Sequence, residues 1–390
     1  MKELKRDSEI CIYHGEDHNK YFGAVAPPIV QTSLFAFENW DKFIEGITAE
    51  RNHYVYTRGV NPTTEILEKK LAELERGEKC KCFASGMAAI SSTLFTILES
   101  KDHVLFVNNV YGPALAYTKI LEKFGVEHNN VFVEDALEIK NHIKENTKLI
   151  YVESPSTMNM QILDLQVVSN IAKENDIITA IDNTWSTPLN QKPLTMGIDI
   201  VLHSCTKYIG GHSDTVAGAV IGSYEMVDKI FEIGHQFGGG ALSPFDAWLV
   251  IRGLRTLPQR MDYQQRSVKK VVEALKLQNK VKKINHPLCL DGKQKELYEK
   301  QMNGYSSLFS VEVDFSSYDE VRTFMNSLKS FKLGVSWGGF ESLIITPNYG
   351  NNEEGLKATN INKNLIRIYV GLEDTEILIE DIERAFNSIG

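Results

Sequence analysis

Ile177-Ile178-Thr179-Ala180-Ile181-Asp182-Asn183-Thr184 and, shortly after it, Ile200-Val201-Leu202-His203-Ser204-Cys205-Thr206-Lys207 are two short apolar runs that each end in reactive groups. Each run is β-branched and too short for a core helix, so each reads as a strand buried on both faces of a parallel sheet. In such sheets ligands bind beyond the carboxyl ends of the strands, which is where Asp182 and Lys207 fall. A lysine to tether the cofactor, a carboxylate to keep the pyridine nitrogen protonated and Ser/Thr hydroxyls to reach the phosphate are what pyridoxal phosphate requires. Taken singly, Lys207 reads as a surface lysine and Asp182 as a helix cap. Their pairing at adjacent strand ends favours the cofactor.

Working outward, further strands are expected at 80–84, 104–107, 131–133, 149–152 and 219–221, with helical patterns such as 63–74 and 88–98 between them. Alternating β and α elements with apolar strands predict an α/β domain, its mostly parallel sheet covered by helices on both faces. After about residue 250 the pattern changes to long helices with late strands at 308–313, 343–345 and 365–370, which predicts a smaller C-terminal α+β domain over 251–390. The large cofactor-binding domain is expected over 56–250. Residues 1–55 lack a clean period and contain Ala26-Pro27-Pro28-Ile29, which reads as an extended arm that needs another surface to lie on.

Composition excludes several classes. A chain of 390 residues is long enough for two domains with a large core. The formal net charge of −9 and the lack of a Lys/Arg block argue against nucleic acid as a partner. Met1-Lys2-Glu3-Leu4-Lys5-Arg6-Asp7 is charged with no apolar stretch behind it, unlike a signal peptide. No segment approaches ~20 uninterrupted apolar residues, so no membrane span is expected. The cysteines Cys11, Cys80, Cys82, Cys205 and Cys289 are scattered and odd in number, which fits free thiols in a reducing cytoplasm. No H-E-x-x-H or clustered His/Asp set supports a metal site among the ten histidines.

Other pieces suit the same cofactor. Phe83-Ala84-Ser85-Gly86-Met87-Ala88 reads as strand, turn and helix start, where backbone amides can hold a phosphate; alone it is an ordinary N-cap serine with a turn glycine. Tyr111, after the strand at 104–107, offers a ring to stack on the pyridine, or else packs half-buried in the core. Tyr56-Thr57-Arg58 before Asn61-Pro62-Thr63 offers a phenol and a guanidinium for a phosphate dianion, or else a surface salt bridge before a Pro-initiated helix.

These motifs, with Tyr111-Gly112, Glu153-Ser154-Pro155, Gly211-His212-Ser213-Asp214 and Arg252-Gly253-Leu254-Arg255-Thr256-Leu257, resemble the Cys/Met-metabolism (trans-sulfuration) family of pyridoxal phosphate enzymes. The likeness runs from about Ala26 to the C-terminus. It implies the fold-type I aminotransferase-like domain, a smaller C-terminal domain and a cytoplasmic homotetramer built as a dimer of dimers with shared active sites. By the same resemblance, Lys207 tethers the cofactor, Asp182 pairs with the ring nitrogen and Tyr111 stacks on the ring. Gly86, Met87, Ser204 and Thr206 hold the phosphate, and Tyr56 and Arg58 reach it from the neighbouring subunit. Arg367 binds the substrate α-carboxylate, which a planar guanidinium meets through two parallel bonds.

Within the family, Gly334-Val335-Ser336-Trp337-Gly338-Gly339-Phe340-Glu341-Ser342-Leu343 resembles the bacterial cystathionine β-lyases and places Ser336 and Trp337 at the substrate. Pro113 stands where methionine γ-lyases carry a cysteine, and Val335 where the γ-type enzymes usually have glutamate, although the β-lyases usually have tyrosine there and methionine γ-lyases also show a small apolar residue. Leu365-Ile366-Arg367-Ile368-Tyr369-Val370-Gly371-Leu372-Glu373-Asp374 and Ser156-Thr157-Met158 also follow the β-lyases, whereas Leu242-Ser243-Pro244-Phe245-Asp246-Ala247-Trp248 is closer to the γ-type enzymes. The implied activity is β-elimination of cystathionine, a sulfur amino acid, to homocysteine, pyruvate and ammonia. Methionine γ-lyase and cystathionine γ-lyase or γ-synthase chemistry is the alternative, and a non-catalytic cofactor-binding relative is a third. The set Lys207, Asp182, Tyr111 and Arg367 argues against the last, because a scaffold need not keep all four.

Overall fold

The computed structural model describes residues 2–389. Seven strands, β1 (Lys79–Phe83), β2 (His103–Val107), β3 (Glu127–Val131), β4 (Thr147–Glu153), β5 (Ile178–Asp182), β6 (Ile200–Ser204) and β7 (Gly218–Gly222), form one sheet in the order β1-β7-β6-β5-β4-β2-β3. β7 runs against both its neighbours, and the remaining pairs are parallel. The sheet is covered on both sides because successive side chains of a strand face opposite ways. Ile150, Val152, Ile181 and Val201 join one core with Ile66, Leu67 and Leu71 of the helix Pro62–Glu75. Tyr151, Ala180, Leu202 and Val220 join another with Ala89, Ile90 and Leu94 of the helix Gly86–Ile97. A strand that serves two cores has no polar face, which is why these elements read as unbroken apolar runs. The third strand lies at 127–131 and not at the expected 131–133, because it is the sheet's edge and its sequence Glu-His-Asn-Asn-Val is half exposed.

A second sheet comprises β8 (Val281–Asn285), β9 (Leu308–Val313), β10 (Lys332–Leu333), β11 (Leu343–Ile345) and β12 (Leu365–Tyr369), in the order β10-β11-β12-β9-β8. Phe309, Val311, Ile366 and Ile368 meet Val268, Val271 and Val272 of the helix Leu257–Lys276 and Leu378 and Ile382 of the helix Thr375–Asn387 in a third core. The helix Pro244–Arg255 packs on the helix Pro62–Glu75 of the large sheet's layer, so the chain changes layers near Thr256.

The N-terminal stretch corrects the expectation of an extended arm over 1–55. Lys2–Tyr13 is a helix, Trp40–Thr48 is another, and the irregular chain lies between them around Pro27 and Pro28. The first helix buries Asp7 together with Ile10 and Cys11. Asp7 bridges Arg76 at 2.7 Å and Lys192 at 2.9 Å. A buried face that includes a charged residue masks the apolar period by which a helix is read from sequence.

Candidate active site

Strand ends and one long loop bring the predicted residues together, with the exception of Tyr56 and Arg58. Lys207 lies in the turn after β6, and its Nζ donates to Ser336 Oγ at 2.7 Å and sits 5.6 Å from the Trp337 ring centroid. Trp337 in turn packs on Tyr208, centroid to centroid 5.5 Å. Burial, and then the Arg367 guanidinium, lower the pKa of Lys207 from the ordinary lysine range, against the pull of Asp182 and Glu341. Part of its population is thereby shifted toward the neutral amine, the form that takes up a proton.

Asp182 ends β5. Its Oδ1 accepts the Thr184 N–H at 3.0 Å and the Thr184 hydroxyl, while Oδ2 accepts no hydrogen bond among the described residues. Burial raises its pKa even though Thr184, His203 and Lys207 work the other way. A carboxylate enclosed with one oxygen unpaired is short of a cationic partner, and a protonated ring nitrogen supplies one.

The turn expected to take the phosphate also offers a fit. Ser85 caps the helix Gly86–Ile97 by accepting the Ala88 N–H at 3.0 Å. The amides of Gly86 and Met87, ahead of it, have no acceptor among the described residues. A Cβ on Gly86 would stand 3.0 Å from Ser204 Cβ, and one on Gly218 would stand 2.2 Å from the Ser85 carbonyl oxygen. The cradle therefore exists only because both positions lack side chains. The Ser204 N–H donates to Thr184 Oγ1 at 2.8 Å, which ties this cradle to the Asp182 turn. The Thr206 hydroxyl donates to the Ala217 carbonyl at 3.1 Å and accepts its N–H at 3.0 Å, so its first commitment is to the loop itself.

Tyr111 precedes the helix Gly112–Leu121 with its ring 45 % exposed. Burial, Asp182 and Glu153 hold its phenol above the ordinary range. Arg367, on β12, is buried, and burial brings its pKa down to about 10, so it stays cationic at neutral pH. Its guanidinium donates to the Val335 carbonyl at 2.8 Å. Val335 contributes this backbone oxygen, whereas its side chain is 84 % exposed. Tyr56 and Arg58 stand apart. The Arg58 guanidinium lies over its own Tyr56 ring at 5.3 Å and reaches Gln236 at 3.4 Å. No hydrogen bond among the described residues joins either to Ser204, Gly86, Met87 or Lys207.

Three supporting groups carry no role in the sequence reading. Glu153 accepts the Tyr111 N–H, Ser213 Oγ lies 2.8 and 2.7 Å from the two oxygens of Glu341, and Arg260 donates to the Tyr208 carbonyl at 2.7 Å. Glu153 and Ser213 fall inside recognised motifs, but their partners are distant in sequence and leave no local signal. A separate cleft of about 1480 Å³, lined by residues including Asn108, Asn159, Lys283 and Gln294, lies between the segment that follows β3 and β8 of the small sheet and is not lined by Lys207 or Asp182.

Residues 8–387 match the family described as "Cys/Met metabolism PLP-dependent enzyme". L-methionine gamma-lyase of Fusobacterium nucleatum subsp. polymorphum is 39 % identical over 386 residues, 97 % of each chain. Cystathionine beta-lyase of Lactococcus lactis subsp. cremoris is 36 % identical over 380 residues, 96 % of this chain and 97 % of the other. Among solved structures, cystathionine gamma synthase from Xanthomonas oryzae pv. oryzae, in complex with aminoacrylate and cysteine, aligns with a TM-score of 0.91 at 32 % identity over 98 % of both chains.

Proposed function

This chain belongs to the Cys/Met-metabolism family of pyridoxal-phosphate-dependent enzymes, and within it we propose that it is a carbon–sulfur lyase that cleaves cystathionine by β-elimination. Asp182 and Lys207 would hold pyridoxal 5'-phosphate, which when bound would supply a protonated ring that draws electron density away from the substrate Cα. Asp182 would keep that ring nitrogen protonated, and the Gly86–Met87 amides and Ser204 would hold the phosphate. Arg367 takes the substrate α-carboxylate, oriented by the Val335 carbonyl. Lys207, as general base, would remove the substrate Cα proton and return it to the homocysteine sulfur as the Cβ–S bond breaks, with Tyr111 assisting. With water added, the remaining carbons leave as pyruvate and the nitrogen as ammonia.

The contact that carries this reading is Lys207 Nζ held 2.7 Å from Ser336 Oγ beside Trp337. β-Elimination needs the base at Cα alone, whereas γ-elimination also needs a proton removed at Cβ. A lysine restrained by Ser336 beside an indole, with the Val335 side chain turned to solvent, is suited to the shorter reach. A second reading, methionine γ-lyase, is favoured by the higher identity of the Fusobacterium relative. The keto acid separates the two. Cystathionine should yield pyruvate and homocysteine, with methionine turned over at least tenfold more slowly, a difference of about 1.4 kcal/mol in barrier. Dominant 2-oxobutyrate from cystathionine, or comparable turnover of methionine, would establish the γ-lyase reading instead.

A further inference from the structure

β4 and β5 lie in parallel register with Glu153 opposite Asp182, so two carboxyl groups end adjacent strands on the same face of the sheet. Glu153 is 8 % exposed, and its Oε2 accepts the Tyr111 backbone N–H at 2.9 Å. No side chain caps the helix that follows Tyr111; the Tyr111 carbonyl accepts the Ala114 N–H at 2.9 Å within that helix's first turn, and the Glu153 bond is what ties its N–H to the sheet. The other groups that act on Glu153 are Asp182 on β5 and Arg367 on β12, and Glu153 acts in turn on the Tyr151 phenol within its own strand. Glu153 thus stands among the three groups assigned to the ring nitrogen, the ring face and the substrate carboxylate.

We propose that Glu153 is a positioning residue of this site, which sets the height of the Tyr111 ring by holding its backbone N–H and does so as an acceptor, not as a charge. Two carboxyls side by side in a dry site do not both ionise readily. Asp182 has a use for its charge, because a ring nitrogen can neutralise it. Glu153 has none that needs it ionised, and burial followed by Asp182 raises its pKa well above the ordinary range, against the opposing influence of the Tyr111 N–H and Arg367. A neutral carboxyl still offers its carbonyl oxygen to an N–H donor. The inference rests on the family's cofactor and is indifferent to whether β- or γ-elimination follows.

Glu153→Gln and Glu153→Asp separate acceptor from charge. The amide keeps the oxygen in place and discards the charge, while aspartate keeps the charge and withdraws the oxygen by one methylene. E153Q is expected to retain the circular dichroism of the bound cofactor's visible band and a kcat within about threefold of the parent, as for an isosteric exchange of one acceptor. E153D is expected to lose much of that dichroism and about tenfold in kcat, with a smaller change in KM, because misplaced catalytic groups cost rate more than binding. Melting temperatures of the cofactor-free variants check that both are folded. The reverse order, with E153D normal and E153Q impaired, would overturn the proposal, as would two variants that both match the parent. Failure of the β-elimination reading would instead appear as a changed keto acid in the parent enzyme.

Discussion

Asp182 is the residue at which the proposed chemistry and stability should pull in opposite directions. Without the cofactor its carboxylate is enclosed, one oxygen is unpaired and burial raises its pKa. A carboxyl whose pKa is higher folded than unfolded favours the folded state most below the unfolded value, about 3.9. That contribution is lost as pH rises through the folded value. The cofactor-free protein should therefore gain from Asp182→Asn at pH 8, where the neutral amide removes the enclosed charge, with a melting temperature higher by on the order of 2 °C. The gain should shrink as the pH is lowered through the raised folded value and vanish near the unfolded one. The loaded enzyme should behave oppositely, losing cofactor affinity and roughly 10²–10³-fold in turnover, since an amide cannot hold the ring nitrogen's proton. A cofactor-free variant less stable than the parent at pH 8 would show that Asp182 is adequately solvated and not awaiting a cation.

At the scale of elements, the cradle depends on convergence more than on any one motif. β7 begins at Gly218, which pairs with Phe83 of β1 and Ser204 of β6, so the ends of three strands meet beside the Ser85–Gly86 turn. A Cβ at Gly218 would strike the Ser85 backbone at 2.2 to 2.6 Å, whereas at Gly112, the first residue of its helix, nothing lies within 4 Å. Gly218→Ala should therefore cost about 1–3 kcal/mol through overpacking and weaken cofactor binding, as read by melting and by absorbance titration. Gly112→Ala should leave both nearly unchanged; equal effects at the two positions would mean that the cradle yields to a methyl group. This dependence on Gly218 is not legible in sequence, because it arises from register between strands far apart in the chain. What is legible follows from burial. β2 and β4 to β7 serve two cores and read as apolar runs, and Asp182 ends one such run while Lys207 comes just after another. The elements with weak signals are those at edges or with charged buried faces. β8 and β10 lie at the two edges of the small sheet and are largely exposed, and the helix Lys2–Tyr13 hides Asp7 among apolar neighbours. Glu153, Arg260 and Glu341 escape the sequence reading for the same reason as Gly218, since each acts on a partner from another element.

For the whole molecule, the position of Arg58 is the open term. Lys207, Asp182, Tyr111 and Arg367 converge within one chain, yet Tyr56 and Arg58 turn outward, the guanidinium resting over its own Tyr56 ring. The stretch that carries them also leaves Phe22, Val25, Leu34 and Trp40 exposed, an apolar density that calls for a second protein surface. If that surface is another copy of the chain, Arg58 serves the partner's phosphate and each site needs two chains. Lys207→Ala and Arg58→Ala homo-oligomers should then both be poorly active, for different reasons. Mixed and allowed to exchange, they should recover activity, because a hybrid pair has one site with the intact lysine from one chain and the intact arginine from the other. Random pairing across a two-fold interface puts half the pairs in hybrids with one good site in two, so recovery should approach about a quarter of the parent activity. Were Arg58 to act within its own chain, every hybrid site would lack one group or the other and mixing would restore nothing. Subunit exchange demonstrated with differently tagged chains, together with no gain in keto acid release, would therefore rule out the shared site.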